Sequence, residues 1–579
     1  MKLIKWVFTC MGAPLFLAGC ASVNVGSEQP VVIKASRFEI SESVTTERHA
    51  NAVEMLYFNS DNALTLRRPD GTEQILSENK GGDMRLAYAT LHSDGKALFA
   101  IWRPKLVKPI EGVGVNGDKL IYVRTSLDDG KTFGPVHRLN QKGGAFAPLV
   151  ASNGLGDMYV AYTDERNGGL DLYLNFSNDR GESWKAEDIK LNDDAQRTSA
   201  IDPSLVSNGN WVHASWLSRG SDQQFKLEVR SSEDRGAHWL TAQVAHSSVS
   251  QPGSPAMVRM GTTGLLLCWA DVDAVRCKRS NDQNKTWGDS VTIADSAGTE
   301  GLFLSTDPKG QAHLLIVKKP SGDEKARINL FHTFTSDGAT FSSLHRLNGG
   351  EPFGASTILP KLRFGDDGSA MAVWVDMRYV KPVIAGNYSS NGGASWLAQP
   401  IVLAGKVDLY HYFPSISYVS AGQYQIAWQE SPDRTLPSSV IGTRTYRQGD
   451  PGVTMPTPNI ERLKERVDAF WSAREAVKYD LVYNYMDPFF RETNSQSNYV
   501  KTQGLVKYYG HRIVGEPKLT EQKATVQVAY ISEVPEIVMR GKKIVVPKKE
   551  VEVPQEWIWV DGDWYLVFLD IMGKNQLLD

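Results

Sequence analysis

The chain has 579 residues, more than one ordinary domain holds, and its 41% hydrophobic and 22% charged content marks it as globular rather than disordered or fibrous. Its 63 basic and 66 acidic side chains leave a formal charge of −3, so no basic excess exists to neutralise phosphates and the composition argues against a nucleic-acid partner. The 50 glycines and 15 tryptophans suit many short strands joined by tight turns.

At the N-terminus, Lys2 and Lys5 precede an apolar run from Trp6 to Phe16. That run is too short for a membrane span and reads as a targeting segment, to be set aside from the fold. Leu17-Ala18-Gly19-Cys20 follows. It resembles the lipobox of bacterial lipoproteins, which implies a signal peptide over 1–19, cleavage before Cys20 and acylation of its thiol. Residues 20–30 are then the lipidated cysteine and a tether, with the lipid bilayer as partner. Ala21 after the cysteine implies outer-membrane sorting. Several acyl chains anchor stably, since each buried CH₂ contributes about 0.8 kcal/mol.

From residue 31 to 448 the sequence repeats. Ser126-x-Asp128-x-Gly130-x-x-Phe133, Ser177-x-Asp179-x-Gly181-x-x-Trp184 and Ser232-x-Asp234-x-Gly236-x-x-Trp239 share one pattern. Ser280-x-Asp282-x-Asn284-x-x-Trp287 has Asn for Gly, and Ser389-x-Asn391-x-Gly393-x-x-Trp396 has Asn for Asp. Ser336-Asp337-Gly338 with Phe341 keeps only the glycine and the aromatic in register. The aromatic residues recur at intervals of 51, 55, 48, 54 and 55 residues. Ser and Asp side chains can bond turn amides, and Gly or Asn accepts a positive φ. An apolar strand precedes each turn: Ala97–Trp102, Met158–Tyr162, Val212–Trp216, Leu265–Trp269, Ala312–Ile316 and Met371–Trp374. A seventh, Tyr424–Trp428, lacks the turn and runs into Val440–Arg444.

These turns resemble the Asp-box, or bacterial neuraminidase repeat. The resemblance implies a sialidase-like β-propeller of six or seven blades, mainly β, in which four short strands make one blade. Seven apolar strands favour seven blades. On that count the outer strand of the last blade comes from Glu73-Gln-Ile-Leu76, which closes the ring. Asp-boxes are structural and receive no catalytic role.

Within the repeat, Cys268 and Cys277 flank a turn centred on Val272 and Asp273 and so face each other. Counting from the turn places them at a non-hydrogen-bonded pair, close enough for a disulfide in an exported protein.

Residues 449–459 are rich in Pro and Gly and read as a linker. Beyond it, over 460–579, the period changes. Leu463, Val467, Phe470, Trp471 and Val477 mark a helix face, and Tyr479–Phe490 a second helical segment. Ala524–Tyr530, Lys543–Val553, Glu556–Val560 and Trp564–Phe568 read as strands, with Asp561-Gly562 as a turn. Helices followed by a curved sheet resemble the NTF2-like fold, a small α+β domain that binds ligands or dimerises in that family. Tyr483, Tyr485, Trp557 and Trp559 are candidates for a pocket or, more simply, for the core.

The turns between the second and third strands of the blades lie opposite the Asp-box face, where sialidases have their active site. There the chain reads Trp102-Arg103, Asp164-Glu165-Arg166, Trp216 with Arg219, Trp269 with Asp271, and Trp374-x-Asp376-x-Arg378. Period two puts Trp374, Asp376 and Arg378 on one side of their strand. Trp216, Trp269, Trp374 and Trp428 are expected to stack on sugars, and Arg103, Arg166, Arg219, Arg378 and Asp376 to hold a carboxylated or hydroxylated ligand. Asp and Arg two apart can instead pair with each other.

The sialidase resemblance asks for three arginines, an Asp acid and a Tyr nucleophile activated by Glu. Asp164 would be the acid, Tyr410 or Tyr412 the nucleophile and Glu430 its partner, with Arg103, Arg166 and Arg378 as the clamp. The family's Arg-Ile-Pro motif does not occur, and Arg67-Arg68-Pro69 is a poor substitute. Metal constellations, P-loops, Rossmann fingerprints and nucleophile elbows are missing too, so no cofactor or metal is expected. The residues favour a cell-envelope lipoprotein whose propeller mouth binds a glycan or an envelope protein without catalysis. The alternative is a sialidase-like exo-glycoside hydrolase acting on a carboxylated sugar.

Overall fold

The computed structural model describes residues 33–34, 44–49, 52–59, 61, 63–77, 84–95, 97–106, 120–141, 145–146, 148–193, 199–219, 222–319, 328–349, 357–432, 440–504, 506–539 and 542–568. The lipobox and Cys20 lie outside these residues. Among the described helices none is long and apolar enough to cross a membrane.

Among the described residues nine four-stranded antiparallel sheets form, and eight of them follow one another along the chain before residue 448. The first strands of blades one to eight are Val44–His49, Met84–Ser93, Leu149–Ser152, Ile201–Asn208, Gly253–Met260, Thr299–Thr306, Thr357–Phe364 and Tyr410–Ser420. First strands pack together between blades one and two, three and four, four and five, five and six, and seven and eight, the first strand of blade seven packs on the second of blade six, and that of blade eight packs on that of blade one. Blades two and three meet through Tyr88 Oη to the Pro148 carbonyl at 3.2 Å and His92 to Ser152 at 3.0 Å. The body is therefore a closed eight-bladed β-propeller with the first strands around its axis.

This corrects the expected count of six or seven blades. The additional blade is Val44–His49, Ala52–Phe58, Leu64–Arg67 and Glu73–Ser77. Its turn between the third and fourth strands is a short Pro-Asp-Gly bend held by Asp70 to the Thr72 amide at 2.9 Å, so it lacks the repeated pattern. Glu73–Ser77 is the outer strand of blade one and does not close the ring. Closure is made by Ile33–Lys34, which pairs with Ile441 and Val440 at the outer edge of blade eight.

The six repeated turns form one hydrogen-bonded unit. In blade two, Ser126 Oγ accepts from Gly130 N at 2.8 Å, and Asp128 accepts from Thr132 N at 2.8 Å and Thr132 Oγ1 at 2.6 Å. Thr335 takes the serine's place in blade six, and the turn is one residue shorter. The turn glycine packs on the preceding blade. A Cβ at Gly181, where φ is +78°, would collide with Thr125 Oγ1 and stand 2.8 Å from the Phe99 ring. Asn284 explains its own exception. It adopts φ +74°, and its amide donates to the Val229 carbonyl (3.0 Å) and Ser231 Oγ (3.1 Å) of the preceding blade.

A second repeated unit sits at the other end of the first strands. Asp202-Pro203, Ser254-Pro255, Leu359-Pro360 and Phe413-Pro414 are β-bulges. Each lies across from the tryptophan of its second strand, Trp216, Trp269, Trp374 and Trp428 in turn. Proline has no N–H to lose at a bulge, which is where sheets tolerate it.

Cys268 and Cys277 are directly paired in blade five, and their disulfide is present with Cα atoms 4.1 Å apart. The turn closes with Asp271 N on the Ala274 carbonyl at 2.8 Å.

After the propeller, helix Ile460–Glu475 starts at Asn459, whose side chain caps the Arg462 amide at 3.1 Å. Leu463, Val467, Phe470 and Trp471 are buried, whereas Val477 lies beyond the helix end at φ +59°, 59% exposed. The expected second helical segment is broken into Tyr479–Tyr483 and Pro488–Thr493, with Asp487 capping the latter. The sheet is a meander of Lys507–Thr520, Lys523–Met539, Lys542–Val560 and Asp563–Leu566. Trp557 and Trp559 are buried in its core. Trp557 meets Phe470 edge-on at 5.9 Å, and Trp559 donates to the Pro456 carbonyl.

Candidate functional site

Because all strands are antiparallel, the turn between second and third strands and the crossing to the next blade share one face. The six repeated turns occupy the other. Arg67-Arg68-Pro69 belongs to the turn face, away from the candidate mouth. There Arg67 pairs with Glu73 at 2.7 Å, and Arg68 donates to the Gly130 carbonyl of the next blade.

The mouth-side acids and arginines are largely bonded to one another. Arg166 reaches Asp164 at 2.8 Å and grips Asp188 with both terminal nitrogens, at 3.0 and 2.7 Å. Asp164 is fully buried and also accepts from the Arg166 amide at 2.8 Å. Burial alone would lower the Arg166 pKa, but the two carboxylates outweigh it and hold it above the usual value. Arg378 repeats the arrangement. Its Nε and Nη2 bond Asp376 at 3.0 and 2.8 Å, and it also donates to the Asn348 carbonyl. Asp376 is fully buried and accepts from the Trp374 indole at 3.0 Å. These Asp-x-Arg units pin the ends of the second strands.

Trp216, Trp269, Trp374 and Trp428 are all buried, at most 1% exposed. Packed between blades, they present no face to a sugar, which corrects their expected stacking role. The Trp428 indole donates to Glu430 at 2.9 Å, and Glu430 is itself buried beside His411 at 3.5 Å. Arg103 is half-buried on the second strand of blade two, opposite Tyr88. Arg219 is exposed, with its guanidinium 5.3 Å above the Phe225 ring.

Tyr410 is 1% exposed, and its hydroxyl donates to Glu492 of the C-terminal domain at 2.7 Å. Tyr412 is half-buried and stacks on Tyr410 at 6.5 Å. The C-terminal domain is seated here, on the mouth-side rim of blades seven and eight. Lys381, in the turn after Asp376, bonds Asp561 at 2.8 Å and lies 5.0 Å over the Tyr410 ring. Val380 packs on Ile558, Val560 and Val567. The cavity left in this seam, bordered by Tyr379, Lys381, Lys406, Met455 and Trp559, is about 20 Å³. That holds about one water and no larger ligand.

The bulges mark the axial mouth, and the sequence reading passed over them as a set. Asp202 is exposed and Ser254 half-buried. Glu300, at the equivalent irregularity in blade six, is exposed and pairs with Lys319 at 2.9 Å. Phe303, Ile358 and Leu359 are 42%, 40% and 37% exposed. The recurrent x-Pro dipeptide, its proline 13 or 14 residues before each tryptophan, was the available signal. Among the described residues no group of three or more His, Cys, Asp or Glu could hold a metal ion.

No family model matches the chain. No curated protein matches it either. Among solved structures, it is similar to a Hadza microbial sialidase at 14% identity, covering 67% of this chain and 73% of that one, with a TM-score of 0.36. It is similar to the NanB sialidase of Streptococcus pneumoniae at 10% identity, covering 73% and 95%, with a TM-score of 0.34. A protein of unknown function from Dyadobacter fermentans is 16% identical over 53% of this chain and 95% of that one, with a TM-score of 0.35. At these scores the likenesses decide neither activity nor substrate, and the propeller stands on its own strand order.

Proposed function

We propose that this is a cell-envelope lipoprotein, acylated at Cys20 and sorted to the outer membrane, whose propeller mouth binds a glycan without cleaving it. The turns resemble Asp-boxes, and the C-terminal domain acts as a fixed part of the mouth rim. The observation that carries the non-catalytic reading is the state of the hydrolytic candidates. Asp164, Arg166, Asp376 and Arg378 are bonded to partners within the fold, and the Tyr410 hydroxyl is bonded to Glu492. A nucleophile needs access to its substrate, and a carboxylate clamp needs guanidinium donors that are not already committed.

The test uses residues 21–579 with a panel of fluorogenic glycosides that includes α-sialosides. Folded protein is expected to bind glycans and to release no fluorophore. Turnover that disappears in Arg378→Ala would overturn the reading and install an active site at the mouth.

A further inference from the structure

In the C-terminal sheet the two middle strands, Lys523–Met539 and Lys542–Val560, run well beyond their neighbours. Lys507–Thr520 pairs with the first of them only as far as Glu533, and Asp563–Leu566 pairs with the second only over Trp557–Val560. Residues 534–539 and 542–548 therefore stand as a two-stranded ribbon about 20 Å long. Two strands alone are marginal in water unless something covers them. The pairing fixes what this ribbon offers. Val534 is opposite Val546, Ile537 opposite Ile544 and Met539 opposite Lys542. Directly opposed residues share a face of the sheet, and so do residues two apart in one strand. An irregularity between Val534 and Ile537 supplies the one extra residue that keeps both on that face. The same face carries Val526, Val528 and Tyr530 farther in, where helix Ile460–Glu475 covers it and Trp471 lies 4.3 Å from Tyr530. The apolar face of the core thus runs on into the ribbon.

The ribbon is also basic. Residues 534–539 and 542–549 hold four lysines and one acid, in a chain whose formal charge is −3. That acid, Glu536, is taken by Lys543 at 2.7 Å. The flanking acids are committed as well, Glu533 to the Tyr509 hydroxyl at 3.0 Å and Glu550 to Arg512 at 2.8 Å. Lys548 lies 4.6 Å over the Tyr509 ring, and Lys549 is exposed. The edges discourage one class of partner. Pro535, Pro547 and two register irregularities interrupt them. Such breaks keep a further strand, including one from a second copy of this chain, from pairing there. An apolar face rimmed by lysine instead matches the headgroup layer of an anionic bilayer, which buries apolar groups at shallow depth and attracts each nearby lysine.

Resting on the anchor reading above for the nearness of a membrane, we infer that this ribbon is a second membrane contact, laid against an anionic phospholipid surface. The tether ends at Ile33–Lys34 on the outer edge of blade eight, and the C-terminal domain is seated on the rim of that blade. Residues 20–32 extend to about 40 Å at most, so the acyl chains keep the bilayer within that distance of blade eight. Contact at two points fixes how the propeller is oriented on the membrane, where the tether alone leaves it free to turn.

Flotation of residues 21–579, which lack the acylated cysteine, with phosphatidylcholine vesicles tests this, the vesicles being pure or mixed with one part phosphatidylglycerol to two. Binding to the mixed vesicles is expected to exceed binding to the pure ones about tenfold and to fall with added salt. Ile537→Ser with Ile544→Ser, and separately Lys542→Glu with Lys549→Glu, should each weaken it about tenfold and leave Tm unchanged. With Cys268 and Cys277 bonded to each other, Met539→Cys supplies the one free thiol of residues 21–579. An environment-sensitive dye there should shift to shorter wavelength on binding. Absence of binding, equal binding to both vesicle types, or binding that neither pair of substitutions alters overturns the inference. So does a dimer that the same substitutions dissolve, since the ribbon then meets a second copy. None of these results touches the acylation of Cys20, which the mass of the mature N-terminal peptide reads separately.

Discussion

The Tyr410 hydroxyl of the propeller and the Glu492 carboxylate of the C-terminal domain are hydrogen-bonded at 2.7 Å, and the neighbouring Lys381 ammonium bonds Asp561 at 2.8 Å. The two links have unequal value. Glu492 is exposed, so water replaces the tyrosine when the hydroxyl is removed. Lys381 is 7% exposed, so loss of Asp561 strands a buried ammonium. Burial raises the Asp561 pKa, and the lysine opposes that shift. Tyr410→Phe is expected to weaken docking by about 1 kcal/mol and Asp561→Ala by about 3 kcal/mol. Protease cleavage within residues 449–459 should speed up in that order, and equal rates would refute the ranking.

Gly181→Ala should cost about 2 kcal/mol or more, since it adds a clash to an unfavourable φ. The Cβ has no room against Thr125 and Phe99, which belong to the preceding blade. The same change at Gly154, where φ is +72° and nothing lies within 4 Å, carries the φ penalty alone. Chemical denaturation of the two variants separates blade packing from backbone strain.

The propeller was legible because its repeated turns are local. Seven consecutive residues, Ser126 to Thr132 in blade two, make the whole hydrogen-bonded unit, so spacing reveals it. Blade one was missed because its turn uses Asp70-Gly71 instead, and because Ile33–Lys34 is too short to announce itself. The disulfide was readable from one turn centre, for the same local reason. The site was less so. Asp164 and Arg166 are two apart, but Asp188 comes from the outer part of the blade, and Glu492 from another domain. Pairings over that distance leave no periodic trace, so an arginine that looked like a clamp proved to be an internal strut. The tryptophans followed the same logic: period two placed them on a common side, without saying whether that side faced solvent or the next blade.

The Cys268–Cys277 bridge closes a loop between residues 9 apart, for which chain entropy gives a stabilisation of about 3 kcal/mol. Both cysteines are fully buried, so a reductant should act only on unfolded protein. Denatured, unreduced protein should show no thiol from this pair. Cys268→Ala combined with Cys277→Ala should lower stability by the stated amount and leave the sheet intact.

His213 supplies a pH test. Its Nε2 lies 3.0 Å from Gln283 Oε1 in the next blade, and its Nδ1 lies 2.8 Å from Ser231 Oγ. Ser231 Oγ also accepts from the Asn284 amide at 3.1 Å, so the ring sits in a buried hydrogen-bonded cluster across the seam. Burial then lowers the His213 pKa to about 4, against a slightly favourable contribution from Gln283. A folded pKa below the unfolded value of about 6.5 means the unfolded chain binds the proton first. Stability from this group is complete above about pH 6.5 and falls as the pH drops toward 4, by about 3 kcal/mol in all. His213→Gln keeps a polar group at the seam and removes the titration. Its denaturation free energy should therefore vary less between pH 6.5 and 4 than that of the native chain. Identical pH profiles would show that the ring is not buried neutral between blades four and five.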